Sequence, residues 1–163
     1  MTVTAAPRAR IGPRLRAILD LCPVQGPVAD IGSGHGRLAH ELALRLPPGQ
    51  VFATEAKPGP AAELRRLLDP LSQVAVLHGP GLSPLRQLGC RGAVIAGMGG
   101  RTIARILESE RDLALSLEWL CLQPMQRVEC LTDWLSDQGS WAIRRTTVRE
   151  RGHSYHSFLL VRR

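Results

Sequence analysis

The chain has 163 residues, a formal charge of +7, and a composition that is 44% hydrophobic and 4% aromatic. That bounds it to one domain with a substantial Ala/Leu/Val-rich α/β core, and no apolar run approaches the ~20 residues of a membrane span. The basic excess points to a polyanionic partner, but Lys57 is the sole lysine, and an arginine-favouring genome produces the same excess on any surface.

Residues from about 8 to 21 are predicted to form an amphipathic helix, with Ile11, Leu15, Ile18 and Leu19 inside and arginines outside. Pro23 and Gly26-Pro27 end it and release the chain into a first strand at Val28. A helix with Leu38, Leu42, Leu44 and Leu46 follows, and Pro47-Pro48-Gly49 turns into a second strand, Val51 to Glu55. Lys57-Pro58-Gly59-Pro60 opens a helix carrying Leu64, Leu67 and Leu68. Gln73 to His78 is a third strand, followed by Gly79-Pro80-Gly81 and a short segment from Leu82 to Leu88. A fourth strand, Gly92 to Ala96, runs into Gly97-Met98-Gly99-Gly100 and a helix from about Arg101 to Glu108. The fifth, Trp119 to Leu122, closes on Gln123-Pro124, and a helix containing Val128, Leu131, Trp134 and Leu135 stops at Gly139. Strands around Ala142–Val148 and Tyr155–Val161 form a hairpin about Glu150-Arg151-Gly152. Five β-α units and a hairpin predict a single Rossmann-like domain spanning 1–163, its seven-stranded sheet mainly parallel with one antiparallel strand near the C-terminus.

The stretch Val28-Ala29-Asp30-Ile31-Gly32-Ser33-Gly34-His35-Gly36 organises this plan. A short apolar run, an acid and alternating glycines, followed by a helix, read as a buried strand ending in a tight turn. Glycines there let a ligand lie against the backbone, facing the amides of the helix start. A dinucleotide fingerprint G-x-G-x-x-G needs its third glycine at position 37, which is Arg37. The pattern is instead acid-x-Gly-x-Gly-x-Gly, which resembles motif I of the Rossmann-like S-adenosylmethionine (SAM) methyltransferases. The second acid, expected to close the next strand and bind ribose hydroxyls, is Glu55. The fourth-strand turn, Ala96-Gly97-Met98-Gly99-Gly100, is expected beside the first, where its glycines admit a substrate base; packing at a helix start is the plainer reading.

Over nearly its whole length the chain resembles the bacterial tRNA (adenine-22-N1)-methyltransferases of the TrmK type. The resemblance is carried by Ala29-Asp30-Ile31-Gly32-Ser33 with His35, Ile95-Ala96-Gly97-Met98-Gly99-Gly100 with Ile103, Leu107 and Glu108, Leu122-Gln123-Pro124, and the final hairpin turn with Tyr155. It implies SAM as cofactor, held by Asp30, Gly32, Ser33, Gly34, Gly36, Glu55, Ala56, Gly79, Pro80, Ala96 and Gly97. It implies a tRNA substrate touched by Gly99, Gly100, Gln123 and Pro124, with Arg8, Arg14 and Arg151 on phosphates. His35, Gly97 and Met98 fall nearest the reaction centre. The chain departs from the family in three places. Gly34 and Pro80 replace acids, with weaker SAM affinity expected from the second, and Met125 replaces an asparagine that could contact the base. The family's C-terminal helical coiled-coil domain has no counterpart in these residues.

Methyl transfer from a sulfonium is an in-line displacement, so alignment and desolvation supply most of the catalysis. Adenine N1 offers a lone pair and needs no strong base. The alternatives are a methyltransferase acting on another RNA or a small molecule, and an inactive SAM- or RNA-binding descendant. His35 reads equally as a turn residue, His78 as a satisfied strand-end histidine, Met98 as core packing, and Trp119, Trp134 and Trp141 mostly as core. Cys22, Cys90, Cys121 and Cys130 form no C-x-x-C pair, which argues against metal or disulfide use. Met1 to Arg8 lacks a signal peptide's apolar core. A cytoplasmic location, away from membranes, is expected.

Overall fold

The computed structural model describes residues 10–68 and 73–163. Helix α1 (Pro13–Leu21) starts at a proline preceded by the extended Gly12, later than position 8. Proline lacks the N–H that a first turn leaves unpaired, and its fixed φ suits that position; of the expected earlier turns, residues 8 and 9 lie outside the described residues. The chain continues through β1 (Val28–Ile31), α2 (Arg37–Ala43), β2 (Val51–Glu55), α3 (Pro58–Leu67), β3 (Val74–His78) and a 3₁₀ turn (Ser83–Gln87). It then forms β4 (Gly92–Met98), α4 (Gly100–Ser109), α5 (Arg111–Ser116), β5 (Trp119–Pro124), α6 (Val128–Ser136), β6 (Trp141–Glu150) and β7 (His153–Arg162).

The seven strands form one sheet in the order β3-β2-β1-β4-β5-β7-β6. β7 runs antiparallel to both its neighbours, and the other ladders are parallel. Helices cover both faces. On one, Ile18, Leu19, Leu38, Leu42 and Leu64 pack over Val28, Val51, Ala53 and Val94. On the other, Ile103, Leu107, Ala114, Leu131 and Leu135 pack over Ala29, Ile31, Ala93, Ile95 and Leu120. Two-sided burial explains why β1, β4 and β5 read as largely apolar runs, interrupted by Asp30 in β1 and Gln123 in β5.

Two features differ from expectation. β4 continues through Gly97, the first glycine of its own turn, to Met98, with a bulge between Ala96 and Met98 that leaves Gly97 unpaired. The helix after it, α4, ends close to the expected Glu108, but a further short helix, α5, follows Glu110 where none is expected. The strand order reverses between β1 and β4, opening a crevice at their carboxyl ends where such sheets bind ligands. Among the described residues, no helix is long and apolar enough to cross a membrane.

Candidate functional site

A cavity of about 390 Å³ occupies that crevice, lined by Asp30, Gly32, Ser33, Gly34, His35, Ala96 and Gly97, with Arg14, Leu15, Arg37 and Leu38 closing its sides. The volume lies in the ordinary range for small-molecule sites. The turn after β1 is bound to the end of β2. Ser33 N donates to Thr54 O at 2.9 Å, and Gly34 N donates to Glu55 Oε1 at 2.7 Å. Glu55 therefore has one oxygen engaged by the turn and a second left to accept.

Asp30 is 3% exposed, and Ser33 Oγ donates to its Oδ2 at 2.6 Å. Burial lifts its carboxyl from the ordinary 3.8 to about 7, against the opposing pull of the Ser33 hydrogen bond and with a smaller push from Glu55. A buried carboxylate aimed into a cavity is a place where a cation would be held.

The glycines divide by what surrounds them. A Cβ on Gly34 or Gly97 would meet no protein atom within 4 Å, so both expose bare backbone to open space. Gly32 instead makes room for the Met98 methyl, and Gly36 for Leu64 and Leu68 of α3. Met98 is thus packed against the first turn. Gly99 and Gly100 begin α4, and Gly100 N donates to Gln126 O at 2.7 Å while a Cβ there would strike the Arg127 carbonyl. Gly100 is consequently buried against the loop after β5 and does not line the cavity.

Of the other expected site residues, His35 is exposed at the cavity rim, and Gly79 and Pro80 lie beside the 3₁₀ turn, outside the lining. The Ala56 carbonyl is engaged by His78 Nε2 at 3.1 Å. Pro124 is buried and pairs with Met98 across the β4–β5 ladder. Arg151 is exposed in the β6–β7 turn, and Arg8 lies outside the described residues. Among the described residues, no group of three or more His, Cys, Asp or Glu is placed to hold a metal ion.

The sequence does not announce the link between Arg14 and Gln123. Arg14 Nη1 donates to the fully buried Gln123 Oε1 at 2.7 Å, while Gln123 Nε2 donates to Pro124 O at 2.7 Å. The guanidinium also lies 6.0 Å from the Tyr155 ring centre, and Arg14 N donates to Glu150 Oε1 at 3.2 Å. Gln123 therefore stands behind Arg14, off the cavity surface. A signal for this was available: Arg14 shares the i, i+4, i+7 stripe of Ile18 and Leu21, the buried side of α1.

Residues 11–158 match the family model of a methyltransferase domain. The tRNA (adenine(22)-N(1))-methyltransferase of Bacillus subtilis (strain 168) is 30% identical over 149 residues, 90% of this chain and 63% of the relative. The chain thus spans under two thirds of the length of that curated relative. The crystal structure of the B. subtilis m1A22 tRNA methyltransferase TrmK superposes with a TM-score of 0.84 at 28% identity, covering 94% of this chain and 67% of that one. A Streptococcus pneumoniae protein in complex with S-adenosyl-L-methionine gives the same TM-score, 0.84, at 28% identity, with 94% and 73% covered.

Proposed function

The chain belongs to the methyltransferase domain family, and on that premise we propose that it is a SAM-dependent enzyme that methylates N1 of an adenine in tRNA. The observation that carries the reading is the cavity at the β1–β4 switch, with buried Asp30 on its wall and the bare backbone of Gly34 and Gly97 facing it. The similarity to the B. subtilis enzyme supports adenine as the target.

The donor set fits SAM. Asp30 offers a carboxylate to a cation, Glu55 has a free oxygen for hydroxyls, and Gly34 and Gly97 admit a ligand against the chain. Asp30, Ser33, Gly34, Glu55 and Gly97 would hold it, and when bound it supplies a methyl group made electrophilic by a sulfonium. The protein's own work is placement. The hydrogen bonds from Ser33 N to Thr54 and from Gly34 N to Glu55 fix the turn before any ligand arrives, so little ordering remains to be done on binding. Leu15 and Leu38 supply apolar surface on one side of the cavity.

Adenine N1 attacks with an in-plane lone pair, and no proton has to leave it in that step. The site accordingly needs no general base, consistent with a cavity lined, among the described residues, by a single histidine, His35, exposed at the rim. Arg14, held on Gln123 and Tyr155, shapes the side of the cavity under the hairpin. A tRNA substrate places the reaction in the cytoplasm. The test is transfer of labelled methyl from SAM into a tRNA pool. Label recovered as 1-methyladenosine supports the proposal; label confined to small molecules, or none transferred while SAM binds, contradicts it.

A further inference from the structure

The register of the last two strands carries an element that the cavity does not use. β5 pairs with β7 only from Trp119↔Val161 to Leu122↔Phe158, whereas β6 and β7 stay paired through Thr146↔Ser157, Thr147↔His156, Val148↔Tyr155, Arg149↔Ser154 and Glu150↔His153. At ~3.3 Å per residue, these five pairs make a two-stranded ribbon continuing roughly 16 Å past the last rung shared with β5. β6 runs in the direction of the parallel strands, so the ribbon and its Arg151-Gly152 turn extend toward the carboxyl ends, where the cavity opens.

The exposed charge at the tip of this ribbon is positive. Arg149, Arg151 and His153 are exposed at its tip. Its one carboxylate, Glu150, is turned to the start of α1, where it accepts from Arg14 N at 3.2 Å. Among the described residues, the ion pairs of this protein involve Arg45, Arg66, Arg86, Arg91, Arg111 and Arg127, none of them on the ribbon. A projecting edge ribbon with unneutralised arginines and no apolar tip is complementary to a chain of phosphates, which arginine binds through its planar fork. The ribbon is also fastened to the site. Tyr155 lies under the Arg14 guanidinium, and the same guanidinium holds Gln123.

We infer that the β6–β7 overhang is an arm that grips the RNA sugar-phosphate backbone beside the cavity, with Arg149 and Arg151 as its phosphate contacts. The inference rests on the RNA substrate proposed above and names the surface that holds it. Arg14 is then a positioning residue, joining the arm to the cavity wall.

The experiment measures binding of a fluorescent unmodified tRNA transcript between ~50 and ~200 mM salt. It uses the wild-type chain, an R149Q/R151Q variant, and R65Q/R163Q as a charge-matched control. Arg65 lies in the last turn of α3, and Arg163 follows β7 and donates to Ser140 O, both toward the opposite end of the sheet. The arm variant is expected to lose about tenfold or more in affinity and to lower the salt slope by about two, since each phosphate contact contributes ~0.9. The control is expected to keep nearly the wild-type slope, with thermal melts showing all three chains folded. Equal losses in both variants, or none in the arm variant, would overturn the arm. A wild-type chain that binds SAM but shows no salt-dependent RNA binding would overturn the RNA reading itself, and the arm with it.

Discussion

Replacing Asp30 by asparagine should change how the stability of this protein depends on pH. Burial holds the Asp30 carboxyl at about 7, against an ordinary 3.8. The folded chain therefore keeps this proton more tightly than the unfolded one. Its contribution to stability is full below about pH 4 and is lost as pH rises through about 7. At ~1.4 kcal/mol for each tenfold change in proton affinity, the whole difference is about 4 kcal/mol, of which about 3 kcal/mol falls between pH 5 and 8. Asparagine has nearly the same shape, its amide oxygen still accepts from Ser33 Oγ, and it does not titrate. Urea unfolding of both chains at steps from pH 5 to 8 should show the wild-type advantage over D30N shrinking by about 3 kcal/mol. A difference that stays level across that span would refute the assignment of a proton-holding carboxyl to this cavity. Because a bound cation favours the ionised form, SAM should also stabilise the wild-type chain more at pH 8 than at pH 5.

Two further substitutions separate site from scaffold. G34A adds a carbon in open space at φ +60, so it should cost about 1–2 kcal/mol in backbone strain while weakening SAM binding at least tenfold by calorimetry. G36A, at φ +72, puts that carbon 2.8 Å from Leu68 and 2.9 Å from Leu64, and should cost more, about 2–4 kcal/mol by urea unfolding. R14A leaves the Gln123 amide oxygen buried without its partner, for a loss of about 1–3 kcal/mol, and R14K should recover only part of it because the guanidinium stacking on Tyr155 is lost.

Much of the architecture was legible because it rests on local signals. A short apolar run holding one acid, followed by alternating glycines, reads as a strand and turn, and Glu55 closing the next strand reaches that turn through Gly34 N. The β6–β7 hairpin was marked by Arg151-Gly152, both of positive φ. Less legible features depend on partners distant in the chain. Gly100 must be glycine because the Arg127 carbonyl lies against it, a contact that no local spacing encodes. Gly32 and Gly36, read as ligand glycines, also make room for Met98, Leu64 and Leu68, a packing duty the local pattern does not show. The short helix α5 is not legible because it follows Glu110 without glycine or proline to mark a new start. Arg14 reads as a phosphate contact in the sequence, and its link to Gln123 and Tyr155 does not show there, because only the fold brings those residues to it.

The central claim is that the crevice between β1 and β4 delivers a methyl group to one adenine of a tRNA. It is tested most directly with two transcripts of a tRNA, one carrying adenine at position 22 and one carrying guanine there, each incubated with labelled SAM and digested to nucleosides. The account predicts label in 1-methyladenosine from the first transcript and none from the second. Equal labelling of both, or label in a different nucleoside, would contradict the assigned target, and no label from a chain that binds SAM would contradict the proposed activity.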